Sequence, residues 1–218
     1  MAVKQQLFTE LAKIAQAIAS PQRLELLDYV AQAERSVEAL SQLMNLSIAN
    51  TSKHLQVLKQ CVLVKVRTKG NQRLYSVACD EVVELIHSLR KTAESQLLEV
   101  NYLIDTYISK GEELAPVTCE ELFTLVEQGR VLVLDIRPEE EYAQGHIASA
   151  INVPPEIMQQ TLEQLDIQEK TIVTYCRGPY CLFAHDAVQF LQQKGFNARR
   201  LTDGFPEWKA AGFPVNLK

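Results

Sequence analysis

The stretch Ser47-Ile48-Ala49-Asn50-Thr51-Ser52-Lys53-His54-Leu55-Gln56-Val57-Leu58-Lys59 reads as one amphipathic helix opened by a capping serine. Ile48, Thr51, Leu55 and Leu58 fall on one stripe at helical spacing, which leaves Ala49, Asn50, Ser52, Lys53 and Gln56 on or near the opposite face. Those residue types read a DNA groove. Asn and Gln bond adenine edges bidentately, small residues let the backbone approach, and Lys favours guanine or phosphate. His54 lies in the same helix, where a structural or phosphate-contacting role outweighs metal ligation. Upstream, Ser36 is expected to cap a short helix through Met44, with Asn45 and Leu46 as the turn. Helix, tight turn, helix is the resulting pattern.

Working outward, Val62–Val66 and Arg73–Val77 carry strand-favouring residues, and Lys69-Gly70-Asn71-Gln72 supplies the turn between them. A basic hairpin bearing Arg67, Lys69 and Arg73 beside such a helix reads as a wing. From Ala39 to Cys79 there is no Asp or Glu, yet the stretch holds Lys53, Lys59, Lys65, Arg67, Lys69 and Arg73. One-sign patterning suits a polyanion, because Lys and Arg release condensed counterions whereas a carboxylate beside them would repel the duplex. The protein as a whole is acidic, with a formal net charge of −5. Residues 1–110 hold 13 basic against 11 acidic side chains and residues 111–218 hold 9 against 16, so two parts with different partners are expected.

Lys4 to Ala19 shows apolar positions at helical spacing, and Ser20-Pro21 ends that helix and starts the next. The motifs Ser20-Pro21-Gln22-Arg23-Leu24-Glu25-Leu26-Leu27, Leu46 through Lys59, and Lys69-Gly70-Asn71-Gln72-Arg73-Leu74-Tyr75 resemble the ArsR family of winged-helix repressors over about residues 5 to 100. The resemblance implies a homodimer on a palindromic double-stranded operator. Its first and last helices would form the dimer interface, with one recognition helix in each major groove. The metal-sensing members carry a Cys-Val-Cys motif at the first helix of the helix-turn-helix. Here that region reads Glu34-Arg35-Ser36-Val37-Glu38, so no metal site and no cofactor are expected.

Asp80 opens a segment whose apolar residues suggest one long helix to about Ser109, paired with its dimer mate. Lys110 to Glu113 then reads as helix end and boundary, dividing the chain into domains 1–110 and 111–218.

In the second half, Val131–Asp135 and Thr171–Tyr175 are continuous apolar runs followed by helical patterns, which predicts an α/β domain with a central parallel sheet. Reactive groups in such sheets sit at the carboxyl ends of strands, and Cys176 occupies that position. If the loop Cys176–Leu182 wraps its sulfur, backbone N–H groups and the next helix N-terminus would stabilise a thiolate or persulfide, and a depressed Cys176 pKa is the expectation. Leu134-Asp135-Ile136-Arg137-Pro138, Glu141-Tyr142, Gly145-His146-Ile147, Ala150 to Pro154, the Cys176 loop and Leu201 to Phe205 with Trp208 resemble the rhodanese family over about residues 117 to 215.

That resemblance implies Cys176 as a nucleophile taking sulfane sulfur from a donor and handing it to a thiol acceptor. Asp135 and Arg137 would support it, and Gly145-His146-Ile147 would be a structural signature. Many active rhodaneses carry an Arg five residues after the nucleophile; this chain has Cys181, leaving Arg177 as the available substitute. Cys181 could resolve a persulfide on Cys176 with release of hydrosulfide, could hold a polysulfide bridge, or could simply pack. A phosphatase or arsenate reductase loop would end in an anion-clamping Arg, where Leu182 stands.

A DNA reader joined to a sulfur-handling domain suggests a cytoplasmic regulator whose operator affinity responds to reactive sulfur. A sulfurtransferase that uses its winged helix for dimerisation or localisation, and a repressor with a non-catalytic rhodanese module, are the alternatives. Cys61 and Cys79 flank the hairpin and are candidate sensing thiols, while Cys119 has no distinguishing context. Five cysteines at irregular spacings do not form a secreted disulfide framework, and no stretch approaches a membrane span.

Overall fold

In the computed structural model, residues 2–108, 114–162 and 170–217 are described. They pack as two units, Met1–Ile86 and His87–Lys218. The expected boundary at 110/111 lies outside the described residues.

The first unit opens with α1 (Ala2–Ile18), and Ser20 with Pro21 then starts α2 (Pro21–Gln32) as expected. A two-residue strand, β1 (Arg35–Ser36), leads into α3 (Val37–Leu43), where the Ser36 hydroxyl accepts the Ala39 N–H at 3.2 Å. Asn45 makes the turn in the left-handed region (φ 51°), which Asn tolerates, and Ser47 caps α4 (Ile48–Gln60) by accepting the Asn50 N–H at 3.2 Å. Val62, also left-handed at φ 56°, delays the hairpin. Its strands are β2 (Val64–Lys69) and β3 (Gln72–Val77), and β1 adds antiparallel to give the order β1-β3-β2. Leu26, Leu40, Leu55 and Leu58 form the fully buried centre. Of the predicted stripe on α4, Thr51, Leu55 and Leu58 are buried, whereas Ile48 in the first turn is 53% exposed.

The single long helix expected after Asp80 is broken. α5 (Asp80–Gln96) stops at Leu97, which is extended, before α6 (Leu98–Leu103) and a π-helical turn at Ile104–Ile108. Just before the break the Thr92 and Ser95 hydroxyls donate to the carbonyls of Ser88 and Thr92. The helix end expected at Ser109 lies outside the described residues.

In the second unit Thr118 caps α7 (Cys119–Glu127). There follow β4 (Val131–Asp135), α8 (Glu139–Tyr142), β5 (Gly145–Ile147), β6 (Ala150–Asn152), α9 (Met158–Leu162), β7 (Thr171–Tyr175), α10 (Leu182–Gln193), β8 (Ala198–Arg200), α11 (Phe205–Ala210) and β9 (Val215–Leu217). The central sheet is parallel in the order β6-β4-β7-β8, and β5 pairs antiparallel with β9. Val133, Val173 and Tyr175 face a core with Leu122, Phe205 and Trp208, while Leu134 and Ile172 face another with Met158, Val188 and Leu191. Both faces are therefore covered, which is why β4 and β7 read as unbroken apolar runs. Among the described residues no helix is long and apolar enough to cross a membrane.

The two units can be followed separately, because the protein's one tryptophan, Trp208, lies in the second. Leu55→Ala should lower the stability of the first unit by about 2–5 kcal/mol and Ile48→Ala by no more than about 0.5 kcal/mol. In urea titrations the far-UV circular dichroism transition moves for Leu55→Ala while Trp208 fluorescence stays put; equal shifts for both variants would contradict the assigned stripe.

Candidate sulfur site and nucleic-acid interface

Cys176 follows β7 directly, at the carboxyl end of the parallel sheet, and its position is set by a buried network one residue earlier. The Arg137 guanidinium, wholly buried, donates from Nε to Asp135 Oδ1 at 3.0 Å, from Nη2 to Asp135 Oδ2 at 2.6 Å and from Nη2 to the Gly145 carbonyl at 2.8 Å. The Tyr175 hydroxyl donates to the same carboxylate and accepts the Ile147 N–H at 3.2 Å. Burial and the Asp135 charge hold that hydroxyl far above its ordinary pKa, so it remains a donor. Asp135 and Arg137 thus tie the ends of β4 and β7 together and position the cysteine that follows. Gly145-His146-Ile147 forms β5, and the His146 ring stacks on Tyr142 with centroids 3.7 Å apart.

The loop from Cys176 to Cys181 brings the two thiols together, with sulfurs 2.7 Å apart and the Cys181 N–H on the Gly178 carbonyl at 3.2 Å. Cys176 is buried (2% exposed) and Cys181 half-buried at the cap of α10. The pair does not titrate as the sequence leads one to expect. Cys181 is lowered to about 6, first by its hydrogen bond with Cys176 and then because backbone N–H groups of Phe183, Arg177 and Ala184 favour its thiolate. Cys176 is pushed up by the same bond and by its burial. The expected depression of Cys176 is therefore corrected. The helix N-terminus serves the sulfur that caps it, and that sulfur is Cys181.

Arg177 is only partly available as an anion clamp. Its Nε donates to Glu141 Oε1 at 2.9 Å and its Nη2 to the same oxygen at 2.6 Å, and Glu141 is fully buried. On the other side of the loop, a Cβ at Gly204 would lie 2.4 Å from the Arg177 carbonyl oxygen, so only glycine permits this approach. Glu207 accepts the Gly204 N–H at 3.1 Å and pairs with Arg90, while His87 Nδ1 lies 3.3 Å from Asp203. Tyr180, inside the loop, donates to Glu94 at 2.8 Å. His87, Arg90 and Glu94 all belong to the part of α5 that lies in the second unit.

Sequence reasoning gave Glu141, Tyr180 and Glu94 no role. Glu141 stands out from the run Glu139-Glu140-Glu141 only as part of the Glu141-Tyr142 motif, to which no role was attached. An aromatic residue between two cysteines was the available signal at Tyr180.

In the first unit Asn50, Lys53 and Gln56 are exposed on α4, with Ser52 and His54 partly so. Lys69 and Arg73 are exposed on the wing. Arg67 departs from its expected state: its guanidinium forks onto Glu34, with Nε at 2.7 Å from Oε1, because the wing folds back beside the residues preceding β1. Cys61 and Cys79 are not bonded to each other; Cys61 Sγ lies 3.7 Å from the Lys13 carbonyl, and a hydrogen bond to Glu81 raises the Cys79 pKa. Cys119 is buried and pushed up to about 12, chiefly by burial. Among the described residues no cluster of His, Cys, Asp or Glu could hold a metal ion.

Comparison with known proteins agrees with this division. Residues 20–66 match the bacterial regulatory protein, arsR family, and residues 118–211 match the rhodanese-like domain. Over 98% of its length the chain is similar to the HTH-type transcriptional regulator Rv0324 of Mycobacterium tuberculosis, with 36% identity across 93% of that protein. The rhodanese part is similar to thiosulfate sulfurtransferase GlpE of Coxiella burnetii, with 30% identity over 41% of this chain and 82% of that enzyme. A solution structure of a homodimeric winged helix-turn-helix DNA-binding domain from Mycobacterium bovis is 33% identical over 43% of this chain and 87% of that one, with a TM-score of 0.41. This chain belongs to the HTH-type transcriptional regulators, with an arsR-family helix-turn-helix at its amino end and a rhodanese-like domain at its carboxyl end.

Carbamidomethylation of Cys181 in the reduced protein should accelerate with pH through about 6. Cys176→Ala removes the sulfur partner, so the rise should move up toward the ordinary thiol value near 9.0. Peptide mass spectrometry after short exposures reads both, and superimposable profiles would show that the sulfurs share no proton.

Proposed function

We propose that the chain is a cytoplasmic homodimeric repressor whose operator affinity is set by sulfane sulfur taken up on Cys176. Residues 1–110 would form the reader and its dimer interface, and residues 111–218 the sulfur module. In this reading Asn50, Ser52 and Gln56 address base edges. Lys53, His54, Lys69 and Arg73 meet phosphates, joined by Arg67 once Glu34 releases it. The dimer rests on α1, which leaves Val3, Leu7, Phe8 and Leu11 largely exposed, a contiguous apolar face that isolated chains rarely carry.

The observation that carries the sulfur-responsive reading is the Tyr180–Glu94 hydrogen bond. The loop holding both sulfurs is tied by it to α5, the helix that also contributes Val82 to the first core. Modification of Cys176 must rearrange that loop, because a second sulfur atom has to fit where Cys181 already lies at 2.7 Å. Any change in Tyr180 is then felt by α5. Cys61 and Cys79 remain secondary candidates as recipients of sulfur.

Two measurements test the reading on a duplex selected from a random pool by the reduced full-length protein. Lys53→Ala should weaken binding to all duplexes and reduce the salt slope by about 1, whereas Asn50→Ala should cost about 1–3 kcal/mol and relax sequence preference. Unchanged binding in both would remove α4 from the interface. Inorganic polysulfide should shift operator affinity about 5–150-fold in the wild type, the range of ordinary coupling, and should not in Cys176→Ser. Constant affinity with turnover that depends on Cys176 would favour the sulfurtransferase alternative. A shift that survives Cys176→Ser would favour a rhodanese module without chemistry.

A further inference from the structure

Resting on the reading that Cys176 accepts sulfane sulfur, we infer that Cys176 and Cys181 together reduce an organic hydropersulfide, releasing sulfide and leaving a disulfide within the loop. A sulfurtransferase with one thiol must wait for an acceptor from solution to reach its persulfide. Here a second thiol already lies 2.7 Å from the Cys176 sulfur. A thiol held in place competes with dissolved ones at an effective molarity that can reach about 10⁵ M, so the internal attack prevails. Cys181 also caps α10, a helix of 12 residues, and is the more accessible of the two sulfurs.

The chemistry runs in two balanced steps. Cys176 attacks the outer sulfur of a hydropersulfide RS–SH and passes its S–H proton to the Cys181 thiolate. The S–S bond of the donor breaks, and RS⁻ leaves and takes up a proton from water. The products are a persulfide, Cys176–S–SH, and a thiol on Cys181. Cys181 then loses its proton to solvent and attacks the Cys176 sulfur, forming the Cys176–Cys181 bond as the persulfide S–S bond breaks and hydrosulfide departs. In sum RS–SH and two thiols give RSH, H₂S and one disulfide: the sulfane sulfur is reduced and the cysteine pair oxidised. A thiol reductant returns the pair to its starting state. The backbone N–H groups of Phe183, Arg177 and Ala184 that favour the Cys181 thiolate are still in place for this step, in which the attacking group must be a thiolate.

The surroundings select the donor class. Cys181 stands where an anion-binding arginine would be needed for a sulfonate-like donor, and Arg177 is forked onto Glu141. Tyr180, Leu182 and Phe183 in and after the loop are exposed, giving the sulfur pair an apolar margin. A small organic hydropersulfide fits that margin better than thiosulfate does.

The test treats reduced full-length protein, freed of reductant, with glutathione persulfide, and follows sulfide release and the mass of the Cys176–Cys181 peptide. The wild type should release a burst of about one sulfide per chain, and its peptide should lose two hydrogens. Cys181→Ser, with a hydroxyl suited to the helix cap, should retain about 32 Da on Cys176 with the burst lost, and Cys181→Ala should do the same. A wild type that keeps a stable gain of about 32 Da without a burst, beside variants that behave alike, overturns the reduction while leaving sulfur uptake intact. Failure of both Cys181 variants to gain mass, together with no burst from the wild type, overturns uptake and reduction alike.

Discussion

A guanidinium without solvent-exposed surface must find all its partners inside the protein, and Arg137 finds them at the two strand ends that define the sulfur site. The carboxylate of Asp135, the hydroxyl of Tyr175 and the carbonyl of Gly145 converge there. A buried ion pair of this kind contributes little net stability, because desolvation offsets most of the Coulomb gain. Its effect is geometric. Removing Asp135 or Arg137 leaves a charge uncompensated in the core, so β4, β5 and β7 hold one arrangement, and the residue after Tyr175 has one place to be. The Gly204 approach closes the other side of the same loop. Between these two constraints a six-residue segment is shaped tightly enough to keep two sulfurs 2.7 Å apart.

Much of the fold was legible because the residues obey simple periodicities. The stripe of α4, the serine caps of α3 and α4, and the unbroken apolar runs of β4 and β7 each follow from burial on one face or on two. What escaped was set by short-range geometry or by distant partners. β1 is two residues long and cannot show alternation, and it exists only because β3 offers it an edge. The break at Leu97 falls within an apolar pattern that continues on both sides of it, so an apolar count does not register it. In the sulfur site the cysteines, Asp135 and Arg137 stood out as motif letters. The location of the thiolate did not, because it depends on which sulfur faces the N-terminus of α10. Nor could the pairing of Arg177 with Glu141 be read, across 36 positions of sequence.

The same physical device appears in both units: a charged or ionisable group is held by a neighbour until something better arrives. In the sulfur loop the neighbour is a thiol, and the shared proton keeps one sulfur ionised while the other stays protonated. In the wing it is a carboxylate, which holds Arg67 in a fork. The wing pair is exposed and worth little in free energy, whereas the sulfur pair is largely buried. Both place a reactive or charged group in a defined geometry before any ligand is present.

The fork between Arg67 and Glu34 bears on how the wing would discriminate among polyanions. A guanidinium already filled by a carboxylate offers nothing to a chain of phosphates that brushes past, and the loss of that cation weakens loose, unregistered encounters first. A duplex seated by α4 would instead deliver one phosphate to the spot where Glu34 lies and hold it there long enough to take its place. Built this way, Arg67 would add to a seated complex more than to a loose one, while Lys69 and Arg73 stay exposed on the same wing throughout.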